Sequence, residues 1–358
     1  MCTNLFKQFS GDFAGIISAR TMDFGTIVKP VPVTLKPNVV AYPRNTQFPT
    51  HSKLLEIGEE LVGLLPKKPL NWKNQYGFVG MDVGPYIADF LKVNIEKISP
   101  IFLDGMNEKG LSAATLWLDG SEYQDEADTD TNVMFLDVVA YILGTCANVS
   151  EAKAQLEQIT VVSPIKFLNN YPAHYIFIDP DPNTTPLVVE YRDGKPNFYD
   201  VANGVLTNEP PYPEMLKAQE KYSDLSIYQD TKNDPPGLLG LPADSSPISR
   251  FARATKFCES VYQPSNLQEA TTLLQVIIQN IEVPLGTVVE KGNDMVLDYS
   301  QWLVVRDHSN LLYYYASFDN QTLKRIDLNN IDFGLINESH YSIAEGAWFT
   351  DETINLVG

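Results

Sequence analysis

Between Ala173 and Leu206 the chain alternates like successive strands, broken by two turn-forming runs, Asp179-Pro180-Asp181-Pro182-Asn183 and Arg192-Asp193-Gly194-Lys195. Turns this short join antiparallel neighbours, because a parallel pair needs a long crossover. The pattern recurs elsewhere. Asn107 to Gly110 has hairpin-turn chemistry, and the small and apolar residues from Leu111 to Leu118 suit a strand packed on both faces. Trp302 to Ile326, with Leu311-Leu312-Tyr313-Tyr314-Tyr315 and a turn at Asp319-Asn320, reads as a further hairpin, and Phe13 to Arg20 as a buried strand. Helical patterns separate these groups. Ser52 to Leu65 is apolar at Leu54, Leu55, Ile57, Leu61, Leu64 and Leu65 and stops at Pro66; Val133 to Gly144 is a second candidate. A third starts with Ser150 as N-cap and Glu151 in its first turn, and two more start near Ser249 and Leu267. Hairpin groups with helices between them predict an α+β fold of antiparallel sheets. The run Asp234 to Gly240 is too short for a linker and no repeat occurs, so residues 2–358 are read as one domain.

Charge and composition exclude several classes of function. Against 45 acidic residues stand 26 basic ones, a net charge of -19 in 358 residues, which repels phosphate backbones and anionic lipid. Neither nucleic acid nor membrane is expected as a partner. No apolar run approaches the roughly 20 residues of a spanning helix. Met1-Cys2-Thr3-Asn4-Leu5 lacks a signal peptide's regions, so the expected location is cytoplasmic if Met1 is the native start and periplasmic if a signal was removed. Cys2, Cys146 and Cys258 form no CxxC pair, and none of His51, His174, His308 and His340 sits in a metal motif. Asp179, Asp181, Asn183 and Glu190 fall on EF-hand spacing, but Thr184 replaces the needed glycine and two prolines stiffen the segment. No metal and no cofactor are expected.

The chemistry-bearing residue is Cys2. Loss of Met1 places a thiol, with a reference pKa of about 8.5, and an α-amine, about 7.7–8.0, on one residue, a nucleophile with its own base. Arg20 follows an apolar run directly and so needs an anionic partner; near Cys2 its guanidinium favours the thiolate. Asp23 can accept a hydrogen bond from the amine, or pair with Arg20 as a surface ion pair. Asn208 ends the strand-like run Gly204 to Thr207; it is either a turn residue or a donor to a developing oxyanion. Arg250 opens a helix.

Six segments together resemble the choloylglycine hydrolase family of N-terminal nucleophile hydrolases, which includes bile salt hydrolases and penicillin V acylases. They are Met1-Cys2-Thr3, Ala19 to Asp23, Asp104 to Leu111, Val205 to Asn208, Pro247 to Phe251 and Trp302 to Val305. The resemblance implies a four-layer αββα sandwich, a homotetramer, and cleavage of a non-peptide amide by Cys2. It also implies Arg20 and Asp23 beside the thiol and amine, Asn208 in the oxyanion hole, and Arg250 as support. Trp117 falls where the family commonly has Asn or Tyr, as in the branch of Gram-negative penicillin V acylases, some of which also act on N-acyl homoserine lactones. That branch often has a Trp where this chain has Phe24, which implies a differently shaped acyl pocket. Trp117 is read as an oxyanion donor or as a pocket wall. The expected substrate is a small amide with an apolar or aromatic acyl group. Conjugated bile salt hydrolysis and a non-catalytic binding protein on the same fold are the competing readings.

Overall fold

The computed structural model describes residues 1–27, 37–48, 66–85, 99–163, 172–228, 237–291, 295–353 and 355. Its strands, in chain order, are β1 (Cys2–Ser10), β2 (Ala14–Ile27), β3 (Asn38–Tyr42), β4 (Phe78–Asp82), β5 (Phe102–Asn107), β6 (Ser112–Trp117), β7 (Asn132–Met134) and β8 (Thr160–Val162). They continue with β9 (Ala173–Ile178), β10 (Leu187–Arg192), β11 (Lys195–Asp200), β12 (Val288–Lys291), β13 (Met295–Asp307), β14 (Leu312–Ser317), β15 (Asn320–Asp327) and β16 (Ser339–Ser342). The helices are α1 (Val138–Thr145), α2 (Val149–Leu156), α3 (Tyr212–Gln219), α4 (Pro247–Ser260) and α5 (Leu267–Gln279).

Among the described residues two large sheets form. One has six strands, ordered β1-β2-β13-β14-β15 with β12 beside β13; the other has eight, ordered β11-β10-β9-β6-β5-β4-β3-β16. Neighbours within both sheets pair antiparallel. Helices α4 and α5 pack on β1, β2 and β13, while α1 and α2 pack on β5, β6 and β9. The layer order is αββα.

The eight-stranded sheet has two cores because its side chains alternate. In β9, Ile176 and Ile178 join Leu5, Met22 and Val304 in a cluster between the sheets. Ala173, Tyr175 and Phe177 join Val138 and Ile142 under the helices instead. This explains why all of β9 and all but the last residue of β6 are buried: a strand covered on both faces has no solvent side. The turn from β5 to β6 closes at Gly110, whose φ of +82° suits glycine and where a Cβ would meet the His308 carbonyl at 2.6 Å.

Several expectations shift. Val133 to Gly144 is not one helix: β7 and a 3₁₀ turn at Phe135–Asp137 precede α1. Val133 to Met134 pair with β8, so a sheet contact takes residues whose apolar spacing also suits a helix. The N-cap of α2 is Asn148, which accepts from Glu151 N, rather than Ser150. Trp302 to Ile326 spans parts of three strands, a meander rather than one hairpin. The helix expected at Ser52 to Leu65 lies outside the described residues.

Candidate active site

Cys2 begins β1, paired with Met22 across the β1–β2 hairpin, and is buried. The other edge of β1 is covered by Leu206, whose N–H and C=O bond Asn4 at 2.9 and 2.8 Å. This short pairing brings Asn208 to the start of β1. The Cys2 backbone N–H donates to Asn208 Oδ1 at 2.8 Å, and Asn208 Nδ2 donates to the Trp117 carbonyl at 2.8 Å. With Met1 in place, the terminal amine donates to the Asp23 carbonyl at 2.8 Å and lies 3.8 Å from Asp298 Oδ2.

Arg20 and Asp23, three apart on β2, face opposite sides of the sheet. Arg20 points between the sheets, where β5 and β6 part. Its Nη1 donates to Leu103 O at 2.5 Å and to Asp104 Oδ2 at 3.1 Å; its Nη2 donates to Thr115 O at 2.5 Å and lies 3.9 Å from Cys2 Sγ. The surface ion pair with Asp23 does not form, since Asp104 is the anionic partner. Burial opposes the guanidinium charge, yet Asp104 and Cys2 outweigh it and hold the Arg20 pKa above its ordinary value. Asp104 in turn accepts from Tyr313 OH at 2.5 Å and lies 3.5 Å from Arg306.

Asp23 turns to the helix side, accepting from Ser300 Oγ at 2.5 Å and Thr21 Oγ1 at 3.1 Å. Arg250, from the first turn of α4, is 3.9 Å from it. Burial raises the Asp23 pKa and lowers that of Arg250, so for both groups lost hydration outweighs their attraction across this gap. Arg250 is fully buried. Its Nη1 donates to Cys2 O at 2.5 Å and Thr3 Oγ1 at 2.7 Å, and its Nη2 to Asn208 Oδ1 at 2.6 Å.

Phe24 and Trp117 line a cavity of about 210 Å³ with Met1, Gly25, Asn208, Glu209, Val296 and Asp298. Cys2, Arg20, Asp23, Asn208 and Arg250 thus surround one end of β1, and Asn208 shares the lining of the cavity with Phe24 and Trp117. Thr3, Ser300, Asp104 and Tyr313 also bond these groups; Thr3 and Asp104 fall in segments that carry the family resemblance, and no local motif announces Ser300 or Tyr313. Asp179 and Glu190 do not converge: Asp179 holds the backbone N–H groups of Val149 and Asp181, while Glu190 is buried against His174. Among the described residues no group of three His, Cys, Asp or Glu is placed to hold a metal ion. Cys146 and Cys258 are buried, and burial pushes their thiols up to about 11 and about 12.

The sequence profile of the linear amide C–N hydrolases, choloylglycine hydrolase family, matches residues 2–341. The chain belongs to the choloylglycine hydrolase family. It is therefore a hydrolase of carbon–nitrogen bonds in linear amides. A bile salt hydrolase/transferase of Clostridium perfringens is 28% identical over 264 residues, covering 68% of this chain and 78% of that protein. A penicillin V acylase of Pectobacterium atrosepticum is 28% identical over 250 residues, 64% of this chain and 62% of that one. The solved penicillin V acylase of Agrobacterium tumefaciens superposes with a TM-score of 0.72 at 23% identity, covering 97% of this chain and 92% of that one. A conjugated bile acid hydrolase of Clostridium perfringens gives 0.72 at 21%, covering 95% and 96%. The fold of this choloylglycine hydrolase family member is that of the N-terminal nucleophile hydrolases, and the family acts on small amides.

Proposed function

We propose that the chain hydrolyses a small amide with an apolar or aromatic acyl group through Cys2, in the manner of a penicillin V acylase, with N-acyl homoserine lactones as further candidate substrates. One observation carries this reading. The Cys2 nitrogen is fixed by Asn208 at 2.8 Å, and the Cys2 sulfur lies 3.9 Å from Arg20, beneath a cavity walled by Trp117 and Phe24. Once Met1 is gone, the α-amine takes the thiol proton and the thiolate attacks the carbonyl carbon. Charge moves to the carbonyl oxygen, where one proton of Asn208 Nδ2 stabilises it, the other Nδ2 proton being held by the Trp117 carbonyl. The C–N bond breaks, the leaving nitrogen takes the proton from the ammonium, and an S-acyl enzyme remains. Water, deprotonated by the same amine, attacks the thioester, the C–S bond breaks, and the acid leaves. Arg20 stabilises the thiolate, while Asp23 and Arg250 hold the amine and Asn208 in place.

The names of the relatives also support a second reading, conjugated bile salt hydrolysis. Parallel assays on penicillin V, a glycine-conjugated bile acid and a long-chain acyl homoserine lactone separate the two. Turnover is expected on the first or third, with Met1 absent from active enzyme by mass spectrometry and an acyl group trapped on Cys2. Preference for the bile acid favours the second reading. Full turnover by enzyme that uniformly retains Met1 removes the α-amine base, and absence of any acyl adduct favours a binding protein.

A further inference from the structure

Asn208 lies in a tight loop, Asn208-Glu209-Pro210-Pro211, and both ends of that loop are bonded to one buried pair. His174 on β9 and Glu190 on β10 are direct cross-strand partners, both fully buried, with His174 Nδ1 3.2 Å from Glu190 Oε1. His174 Nε2 lies 2.9 Å from the carbonyl oxygen of Thr207, the residue before Asn208. Glu190 Oε1 also accepts the backbone N–H of Tyr212, the residue after Pro211, at 2.9 Å. Pro210 and Pro211 have no N–H to offer, so these two bonds do what a backbone ladder does for a strand.

The partners fix the proton count. The Thr207 carbonyl only accepts, so Nε2 must carry a hydrogen. Nδ1 faces a carboxyl oxygen, and a ring lone pair against a carboxylate is repulsive, so this contact also contains a proton. That proton joins Nδ1 to Glu190 Oε1. Glu190 Oε2 is buried with no hydrogen-bond partner, so no other group shares it. Tyr212 on α3 and Tyr199 on β11 also face Glu190; burial first, and then the Glu190 charge, raises both phenols, which stay neutral around pH 7.

We infer that His174 and Glu190 are positioning residues for the reaction: a hydrogen-bonded imidazole–carboxyl pair that clamps the Asn208 loop and aims its amide at the oxyanion. This rests on the oxyanion role of Asn208 proposed above. A glutamine at 190 supplies neither the charge nor the proton of a carboxyl group: at the single position of Oε1 it can accept from Tyr212 N–H or donate to Nδ1, not both.

The test combines kinetics and NMR. Glu190→Gln is expected to lower kcat about 10- to 100-fold with KM nearly unchanged, less than the roughly 10²–10³-fold loss of a whole oxyanion donor. In an Asn208→Ala background the same change should cost little, because Glu190 acts through Asn208. Independently of activity or of how the variants fold, ¹⁵N-histidine spectra of the native enzyme should show Nε2 of His174 protonated, as its bond to the Thr207 carbonyl requires. His308 should instead show its Nδ1 protonated, since that nitrogen faces the Gly110 carbonyl and its Nε2 the Ser18 hydroxyl. A His174 without a proton on Nε2, an unchanged kcat in a folded Glu190→Gln enzyme, or equal losses in both backgrounds would overturn the clamp. No loss from Asn208→Ala alone would instead remove the oxyanion role on which it rests.

Discussion

Trp117 contributes to the site in two separable ways. Its backbone carbonyl holds Asn208 Nδ2, a contact any residue can make, and the residue lines the cavity together with Phe24. Trp117→Asn therefore keeps the backbone bond and removes the wall. If about 80 Å² of an acyl group meets the indole, at about 25 cal/mol per Å² the ring is worth about 2 kcal/mol, about 30-fold in kcat/KM. Phenoxyacetyl and long-chain acyl amides are expected to lose that much, and an acetyl amide far less. Equal losses along the series would place the indole's role at the oxyanion or in folding. At this scale much was legible in the sequence: Cys2, Arg20, Asp23, Asn208 and Arg250 carry chemistry that suits one site, and the structure brings them together. Their partners were less legible. Arg20 pairs with Asp104, 84 residues away, because β5 and β6 part to admit it, and spacing along a chain does not report that opening.

Elements were read well where local chemistry decides them and poorly where a distant strand does. The turns at Asn107 to Gly110 and Arg192 to Lys195, and the starts of α4 and α5, follow from short-range signals. The start of α1 does not, because β8 takes Val133 and Met134 into a two-stranded pairing. The end of β13 shows how a strand is tied to a turn of the opposite sheet. His308, just past it, accepts from the Ser18 hydroxyl at 2.8 Å through Nε2 and donates to the Gly110 carbonyl at 2.8 Å through Nδ1. Burial pushes its pKa down to about 3, with Gly110 opposing and Arg306 adding to the shift. The unfolded chain, with an ordinary imidazole near 6.5, binds the extra proton first. Stability is thus fully present above about pH 6.5 and falls by about 1.4 kcal/mol per pH unit as pH drops towards about 3. Urea melts at pH 4 and pH 7 should show this fall, and a folded His308→Gln variant should show a shallower one. An identical acid dependence in both proteins would remove His308 as its source.

At the scale of the whole molecule, the site belongs to neither sheet alone. Cys2, Arg20 and Asp23 come from the six-stranded sheet, and Leu103, Asp104, Thr115 and Trp117 from the eight-stranded one. Arg20 joins them, bonded to carbonyl oxygens of both β5 and β6. The apolar cluster that includes Cys2 and Met22 also includes Leu103, Met106 and Leu116, so the layer supporting the nucleophile is the one that holds the sheets together. Parting the sheets would strand three buried charges, Arg20, Asp104 and Arg306, at once. Removing one partner from such a network costs about 3–5 kcal/mol, which makes a half-separated state unfavourable. The sandwich is accordingly expected to melt as one unit over residues 2–358, with activity, near-ultraviolet circular dichroism and calorimetry tracing one transition. Tyr313→Phe, which removes the hydroxyl held by Asp104 at 2.5 Å, should lower that single midpoint and keep the three probes coincident. Loss of activity well before the calorimetric peak, or two resolved peaks, would mean that the sheets unfold separately and that the site rests on a local contact rather than on the packing of the sandwich.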